Sequence, residues 1–115
     1  MSETYVYAVG AALCMMLLDI VSGLAAAAKN GEISSTKMRE GLYHKASLVL
    51  VIACAGSIEF FMSHVPELGF TAPLLVPACV LIVAMEVVSV MENATKLNPE
   101  LAGSKLLQLF SSSKE

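Results

Sequence analysis

The sequence predicts an all-α integral membrane protein with three transmembrane helices. The chain of 115 residues is 57% hydrophobic and has a mean hydropathy of +0.73, which is too apolar for a small water-soluble fold. Three apolar stretches, at residues 5–28, 46–63 and 72–91, are each long enough for a membrane helix. A basic segment and a short turn connect them, so we expect one membrane domain over residues 1–115.

The first span, residues 5–28, contains a single charged residue. Its 24 positions make a helix roughly 36 Å long, which crosses a hydrocarbon core of about 30 Å with some tilt. The charged residue is Asp19, and an aspartate near a helix centre costs roughly 3 kcal/mol in the membrane. Asp19 is therefore expected to require a partner.

The connection at residues 29–45 contains four of the seven basic residues of the chain, and the other three follow the third span. The positive-inside rule therefore predicts that the N-terminus lies outside, and that this loop and the C-terminus are cytoplasmic. We expect a short amphipathic helix over residues 36–45, along the inner membrane surface. The basic residues are expected to form a solvated face that fixes the topology, with contact to anionic lipid headgroups as the alternative: Lys29, Lys37, Arg39 and Lys45.

Turn and capping residues mark the ends of the predicted helices. Asn30-Gly31 ends the first helix, and Ser34 is one of three candidate N-caps that follow it. Pro77 lies inside the third span and is a candidate kink. The cytoplasmic tail, residues 92–115, contains apolar residues at a spacing that predicts a second short amphipathic helix.

Each span contains one acid: Asp19, Glu59 or Glu86. Asp19 and Glu86 are expected roughly 4 Å and 7 Å to the cytoplasmic side of their helix midpoints, and Glu59 about 5 Å to the outer side. Asp19 and Glu86 should therefore share a layer, with Glu59 nearly alone. Because no Lys or Arg lies within the three spans, we expect no salt bridge within one chain to neutralise these acids. They must be protonated, hydrogen-bonded or in contact with water.

Small residues accompany two of these acids. Gly23-x-x-x-Ala27 is a small-xxx-small pair beside Asp19, and Gly56 belongs to a small-residue patch that precedes Glu59. Such surfaces pack against other helices of the same chain, or they meet a neighbouring subunit or line a lumen. Both interpretations remain open at this point.

Polar residues accompany the third acid. Glu86, Ser89 and Asn93 share one face of the predicted third helix, where Ser89 can donate a hydrogen bond to Glu86. Glu92 is expected near the headgroup level. The candidate pore or assembly residues are Asp19, Gly23, Ala27, Gly56, Glu59, Glu86, Ser89, Glu92 and Asn93.

Several classes of function are not indicated by the sequence. There is no Ser/His/Asp set, no CxxC or Cys/His spacing and no nucleic-acid footprint, so we expect no enzyme, no cofactor, no metal site and no nucleic-acid partner. Three helices cannot line a wide passage by themselves. We therefore expect the chain to form a homo-oligomer in the lipid bilayer.

Three motifs resemble those of a known family. They are the Asp19-x-x-x-Gly23 pair, the basic loop with Ser35, Arg39, Gly41 and Lys45, and the octet EVVSVMEN at residues 86–93. The octet is the most specific of the three, and it is similar to a Glu-x-x-Ser-x-x-Glu-Asn signature. Over roughly residues 17–101 the chain resembles the three-span holins of phage lysis and toxin secretion in Gram-positive bacteria and their phages.

This resemblance implies a non-enzymatic protein that accumulates in the bacterial cytoplasmic membrane, oligomerises and opens large lesions at a set time. The lesions would release an endolysin or an exported toxin, without obligatory direct binding of that cargo. Asp19 and Glu86 would then favour the hydrated state over the dry, packed one. Two alternatives remain: a small ion- or proton-coupled channel or transporter, and an assembly subunit whose acids pair with a basic partner protein.

Overall fold

The computed structural model describes residues 2–103 and residue 108. It contains three long helices, α1 (Glu3–Asn30), α2 (Ser35–His64) and α3 (Leu75–Leu97), and two short 3-10 helices, Pro66–Leu68 and Pro99–Gly103. No strand occurs among these residues. Each long helix is long and apolar enough to cross a membrane, which confirms the predicted fold class. The orientation in the membrane stays a prediction.

The connection between α1 and α2 follows the predicted turn chemistry. Gly31 adopts the left-handed conformation with φ 67°, and the backbone N–H of Glu32 donates to Ala27 O at 2.8 Å. The Ser34 side chain then accepts from the backbone N–H of Lys37 and caps α2. This connection is therefore only four residues long, Gly31 to Ser34, and it joins α1 and α2 as a helical hairpin.

The amphipathic helix expected over residues 36–45 is not a separate element. These residues are helical, but they form the first turns of α2, which is continuous from Ser35 to His64. The segment contains no proline, and nothing in its sequence breaks the backbone hydrogen bonds at the point where the apolar stretch begins. Hydropathy therefore placed the start of this helix about three turns too late.

The third helix begins later than predicted. It starts at Leu75, so Pro77 lies in its first turn, where backbone N–H groups have no partner within the helix. The expected kink one turn inside the helix is thus wrong, because Pro77 removes no helical hydrogen bond there. At the other end of the chain, Pro99–Gly103 is a 3-10 helix. In the rest of the predicted tail helix, the structure describes residue 108 alone, which is helical.

The three helices pack unequally. α1 packs along most of α3, whereas α2 contacts α3 less and contacts α1 least. Seven buried residues from all three helices form the core: Ala12, Met16, Leu48, Ile52, Leu75, Cys79 and Ile82. Large apolar side chains point outward, as in Leu50 (70% exposed) and Leu81 (66% exposed), which is the arrangement expected when the surrounding solvent is lipid.

Cys79 can report on the separation of these helices. Its side chain is buried in the core with 1% exposure, whereas Cys14 and Cys54 are exposed. After Cys14→Ala and Cys54→Ala, only Cys79 can react with a maleimide dye. The temperature at which it becomes reactive in detergent micelles then measures opening of the core, and this is called the Cys79 assay below.

We predict that Gly56→Leu lowers the midpoint of the Cys79 assay. A Cβ atom at Gly56 would lie 3.6 Å from Leu75 Cδ1, so Gly56→Ala fits, but a larger side chain forces α2 away from α3 at a cost of about 1–3 kcal/mol. The control is Gly10→Leu, because a Cβ atom at Gly10 has nothing within 4 Å. Equal midpoints for the two leucine variants would contradict this packing.

Candidate functional site

One cation lies between two acids in the interior of the bundle. Lys45 Nζ of α2 is 2.5 Å from Asp19 Oδ2 of α1 and 2.9 Å from Glu86 Oε2 of α3. It also donates a hydrogen bond to Glu86 Oε1 at 3.2 Å. The side chains of Lys45 and Asp19 are 12% and 16% exposed, and that of Glu86 is 1% exposed. One ammonium therefore connects all three helices.

Asn93 completes this cluster from α3. Its Nδ2 donates to Asp19 Oδ1 and to Ser22 Oγ, both at 2.9 Å, and it also lies 3.3 Å from the backbone oxygen of Asp19. A Cβ atom at Gly23 would lie 3.6 Å from Asn93 Nδ2, which is ordinary van der Waals contact, so the amide lies directly beside α1 at this position. We call Asp19, Lys45, Glu86 and Asn93 the polar cluster.

The polar cluster corrects one expectation and agrees with another. The expectation that no salt bridge within one chain can neutralise the acids is wrong, because Lys45 contacts both Asp19 and Glu86. The expectation that these two acids share a layer is confirmed, since one ammonium reaches both. Lys45 was assigned to the loop, yet it lies ten residues, about 15 Å, along α2.

The sequence did contain a signal for Lys45. In an antiparallel helical hairpin, residues equally distant from the turn lie at the same depth. Asp19 and Lys45 are each thirteen positions from Glu32 in the α1–α2 connection, so the hairpin brings them to one level. Recognition of the short connection would have predicted their pairing.

A second set of polar contacts lies at the opposite end of the bundle, around Glu59. Glu59 Oε1 accepts from the backbone N–H groups of Leu74 and Leu75, at 2.7 and 3.0 Å, and Tyr5 of α1 donates to Glu59 Oε2. Glu59 on α2 thus caps the start of α3 and also binds α1. The expectation that Glu59 is nearly alone is wrong, because the start of α3 and the tyrosine both approach it.

The other candidate residues have different surroundings. Ser89 donates to the backbone oxygen of Met85, at 3.3 Å, and not to Glu86. Glu92 is exposed on α3. Ala27 is partly buried on the side of α1 that faces the start of α2. Arg39 is exposed on α2.

Lys29 connects α1 to the end of α3. Its Nζ donates to the backbone oxygens of Lys96 and Leu97, at 3.3 and 2.8 Å. Carbonyl groups at the end of a helix lack partners within the helix, so Lys29 satisfies two of them. We call the end of the bundle that contains Lys29 and the α1–α2 connection the lysine-rich end.

A cleft of about 320 Å³ opens between the last turns of α1 and the first turns of α2. Asp19, Lys45 and Asn93 are among its lining residues, so it reaches the polar cluster. Lys37 and Lys96 are also among its lining residues. We call it the α1–α2 cleft.

The interactions of the polar cluster are ion pairs and hydrogen bonds between the three helices. Among the described residues, no three His, Cys, Asp or Glu side chains are placed to bind a metal ion. Two carboxylates face one ammonium, so the polar cluster is stable where it is enclosed by protein or reached by water, and unstable where lipid replaces those partners.

These features define a multi-pass membrane protein of three helices with a charged interior. The sequence model of the bacteriophage holin family matches residues 3–113, nearly the whole chain. The chain therefore belongs to the bacteriophage holin family, which is not a family of enzymes. Comparisons with curated proteins and with solved structures gave no match.

We predict that Lys45→Gln strongly lowers the midpoint of the Cys79 assay. The substitution leaves one buried carboxylate, Glu86, and one partly buried carboxylate, Asp19, without their common counter-charge, and breaking a buried pair costs about 3 kcal/mol or more. Addition of Asp19→Asn and Glu86→Gln to the same chain should restore most of the midpoint. Arg39→Gln, an exposed charge change on the same helix, should have little effect. A triple variant as unstable as the single one would contradict the role of charge.

We predict that Glu59→Ala also lowers the Cys79 midpoint, by less than Lys45→Gln does. It removes the acceptor for two backbone N–H groups of α3 and for the Tyr5 hydroxyl. Glu59→Gln keeps one oxygen and should retain most of the stability. The matched control is Glu67→Ala in the exposed turn that follows α2. If Glu67→Ala lowers the midpoint equally, loss of negative charge and not loss of the cap is the cause.

Proposed function

We propose that this protein is a holin that oligomerises in the bacterial cytoplasmic membrane and opens large lesions, which release an endolysin or an exported toxin. Membership of the holin family and three membrane-spanning helices support this proposal. The observation that carries the mechanism is the polar cluster, in which one lysine pairs with acids of both other helices.

The polar cluster makes helix separation depend on water. In the packed chain each of the charges of Lys45, Asp19 and Glu86 has a partner of opposite sign, although two carboxylates share one ammonium. If the helices separate in lipid, each exposed charge costs roughly 3 kcal/mol, whereas water solvates the same charges. Separation is therefore favourable only where a water-filled opening forms at the same time.

Association between copies would use the outward surface. The exposed side chains of Leu50, Phe60 and Leu81 are apolar, so the packed chain is soluble in lipid and free to accumulate. An opening needs several copies, because three helices cannot surround a wide passage. The copies would then contribute their polar residues to the lumen and keep their apolar surfaces toward lipid. The released cargo need not bind the protein.

In-chain pairing also bears on the other functions considered. An assembly subunit needs a basic partner protein for its acids, but Lys45 already pairs with Asp19 and Glu86. A small channel or transporter remains an outcome that an experiment must distinguish. Loss of membrane potential without escape of a folded enzyme would indicate such a channel and would overturn the proposal.

The test is induced expression in a bacterial host, with records of culture density, membrane potential and release of a large cytoplasmic reporter enzyme. We expect growth to stop abruptly after a delay, with escape of the folded reporter. Steady growth with no release, at membrane levels confirmed by immunoblot, would contradict a lesion-forming role.

We predict that charge changes in the polar cluster shift this delay in opposite directions. Lys45→Gln should shorten the delay, because it destabilises the packed state but keeps both acids. Asp19→Asn with Lys45→Gln and Glu86→Gln should lengthen the delay or prevent opening altogether, because the charges that require water are gone. Arg39→Gln should leave the delay unchanged. Equal delays for all variants at equal membrane abundance would show that the polar cluster does not control opening.

A further inference from the structure

We infer that the α1–α2 cleft binds the headgroup of an anionic phospholipid at the lysine-rich end of the bundle. This inference requires that the protein lies in a membrane, but it does not require lesion formation. The cleft has a volume of about 320 Å³ and lies between membrane-spanning helices. Basic pockets in such positions are typical sites for the headgroups of anionic lipids.

The charges that line the cleft favour an anion. Three lysines and two acids contribute to the lining, and Lys45 is already paired with one of those acids, Asp19. Among the described residues, Lys37 and Lys96 have no carboxylate within 4 Å. Within the lining these two lysines outnumber the remaining acid, Glu32, by one, and Glu86, the second partner of Lys45, is not a lining residue.

The position of these two lysines suits a phosphate at headgroup depth. Lys37 precedes Lys45 by two helical turns, and Lys96 follows Asn93 by about one turn, so both are displaced from the polar cluster toward the lysine-rich end. They come from two different helices, α2 and α3, that both contribute to the lining of the cleft. A phosphate between them would be contacted from two sides.

The rest of the lining suits an acyl chain. Ile20 and Leu24 of α1 and Met38 and Leu42 of α2 present apolar side chains to the cleft. Its lining on α1 extends from Asp19 to Asn30, roughly 16 Å along the helix axis. A soluble anion would use only the lysines, whereas a phospholipid matches both the charged part and the apolar part of the lining.

The absence of tryptophan from the chain allows a direct test. Leu24→Trp places a single fluorophore in the cleft of the full-length protein, and Leu18→Trp places one on a different side of α1, outside the cleft. Each protein is reconstituted in vesicles of phosphatidylcholine with increasing brominated phosphatidylglycerol. Brominated phosphatidylcholine serves as the neutral comparison, and quenching of the tryptophan measures lipid contact.

We expect the Leu24→Trp protein to prefer phosphatidylglycerol, and the Leu18→Trp protein to show no preference. Lys37→Gln and Lys96→Gln should each reduce the preference about fivefold, which corresponds to about 1 kcal/mol for one basic residue near the membrane surface. Arg39→Gln also removes one positive charge from α2, but outside the cleft, so it should leave the preference for phosphatidylglycerol unchanged.

Several results would overturn the inference. Equal quenching by the two lipids would show that the cleft does not recognise charge. If Arg39→Gln reduces the preference for phosphatidylglycerol as much as Lys37→Gln does, the lysines contribute only a general attraction to the anionic surface. Absence of quenching by either lipid would show that another copy or segment fills the cleft. If inorganic phosphate at moderate concentration abolishes the preference, the lysines bind a free anion and not a lipid. Lesion assays on the same variants then test the proposed function separately.

Discussion

The contact on which the rest of the structure depends is the one between the Lys45 ammonium and the carboxylates of Asp19 and Glu86. A single Nζ atom can contact both acids only if α1, α2 and α3 meet at one depth, so this pairing fixes the register of the bundle. Apolar packing alone specifies register weakly in a membrane, because lipid chains are as apolar as the helix surfaces. The charges therefore define which arrangement of the helices is the packed state.

The attachment of α2 is the weak part of this arrangement. α1 and α3 pack along each other, whereas α2 contacts α1 least among the helix pairs. The link between α1 and α2 is therefore largely polar: Lys45 with Asp19 near one end, and Glu59 with Tyr5 near the other. Polar links lose their advantage when water competes for the same groups. Entry of water should consequently release α2 before it separates the pair of α1 and α3.

The sequence was sufficient for the features that depend on local chemistry. Apolar length predicted three membrane helices, Gly31 and Ser34 marked the α1–α2 connection, and the depths of Asp19 and Glu86 predicted their shared layer.

The sequence was insufficient where hydropathy was used to set the ends of a helix. Hydropathy reports where apolar side chains begin, but a helix continues until its backbone hydrogen bonds are interrupted. Lys45 was therefore treated as a loop residue although it lies well inside α2. The partners of Glu59 were missed for another reason, since they depend on where α3 begins and how it approaches α2.

The pairing within the chain also explains why membrane acids need not imply a basic partner or a permanent pore. With Lys45 in contact, Asp19 and Glu86 both have a partner within the packed chain. In the proposed function, this pairing lets the protein accumulate without opening the membrane. The same three charges make any separated state in lipid costly, because all of them then lose their partners at once. In the proposed function, only two states are favourable: the closed bundle, and an assembly whose polar residues face water. A delay followed by abrupt opening is the behaviour expected when no stable state lies between these two.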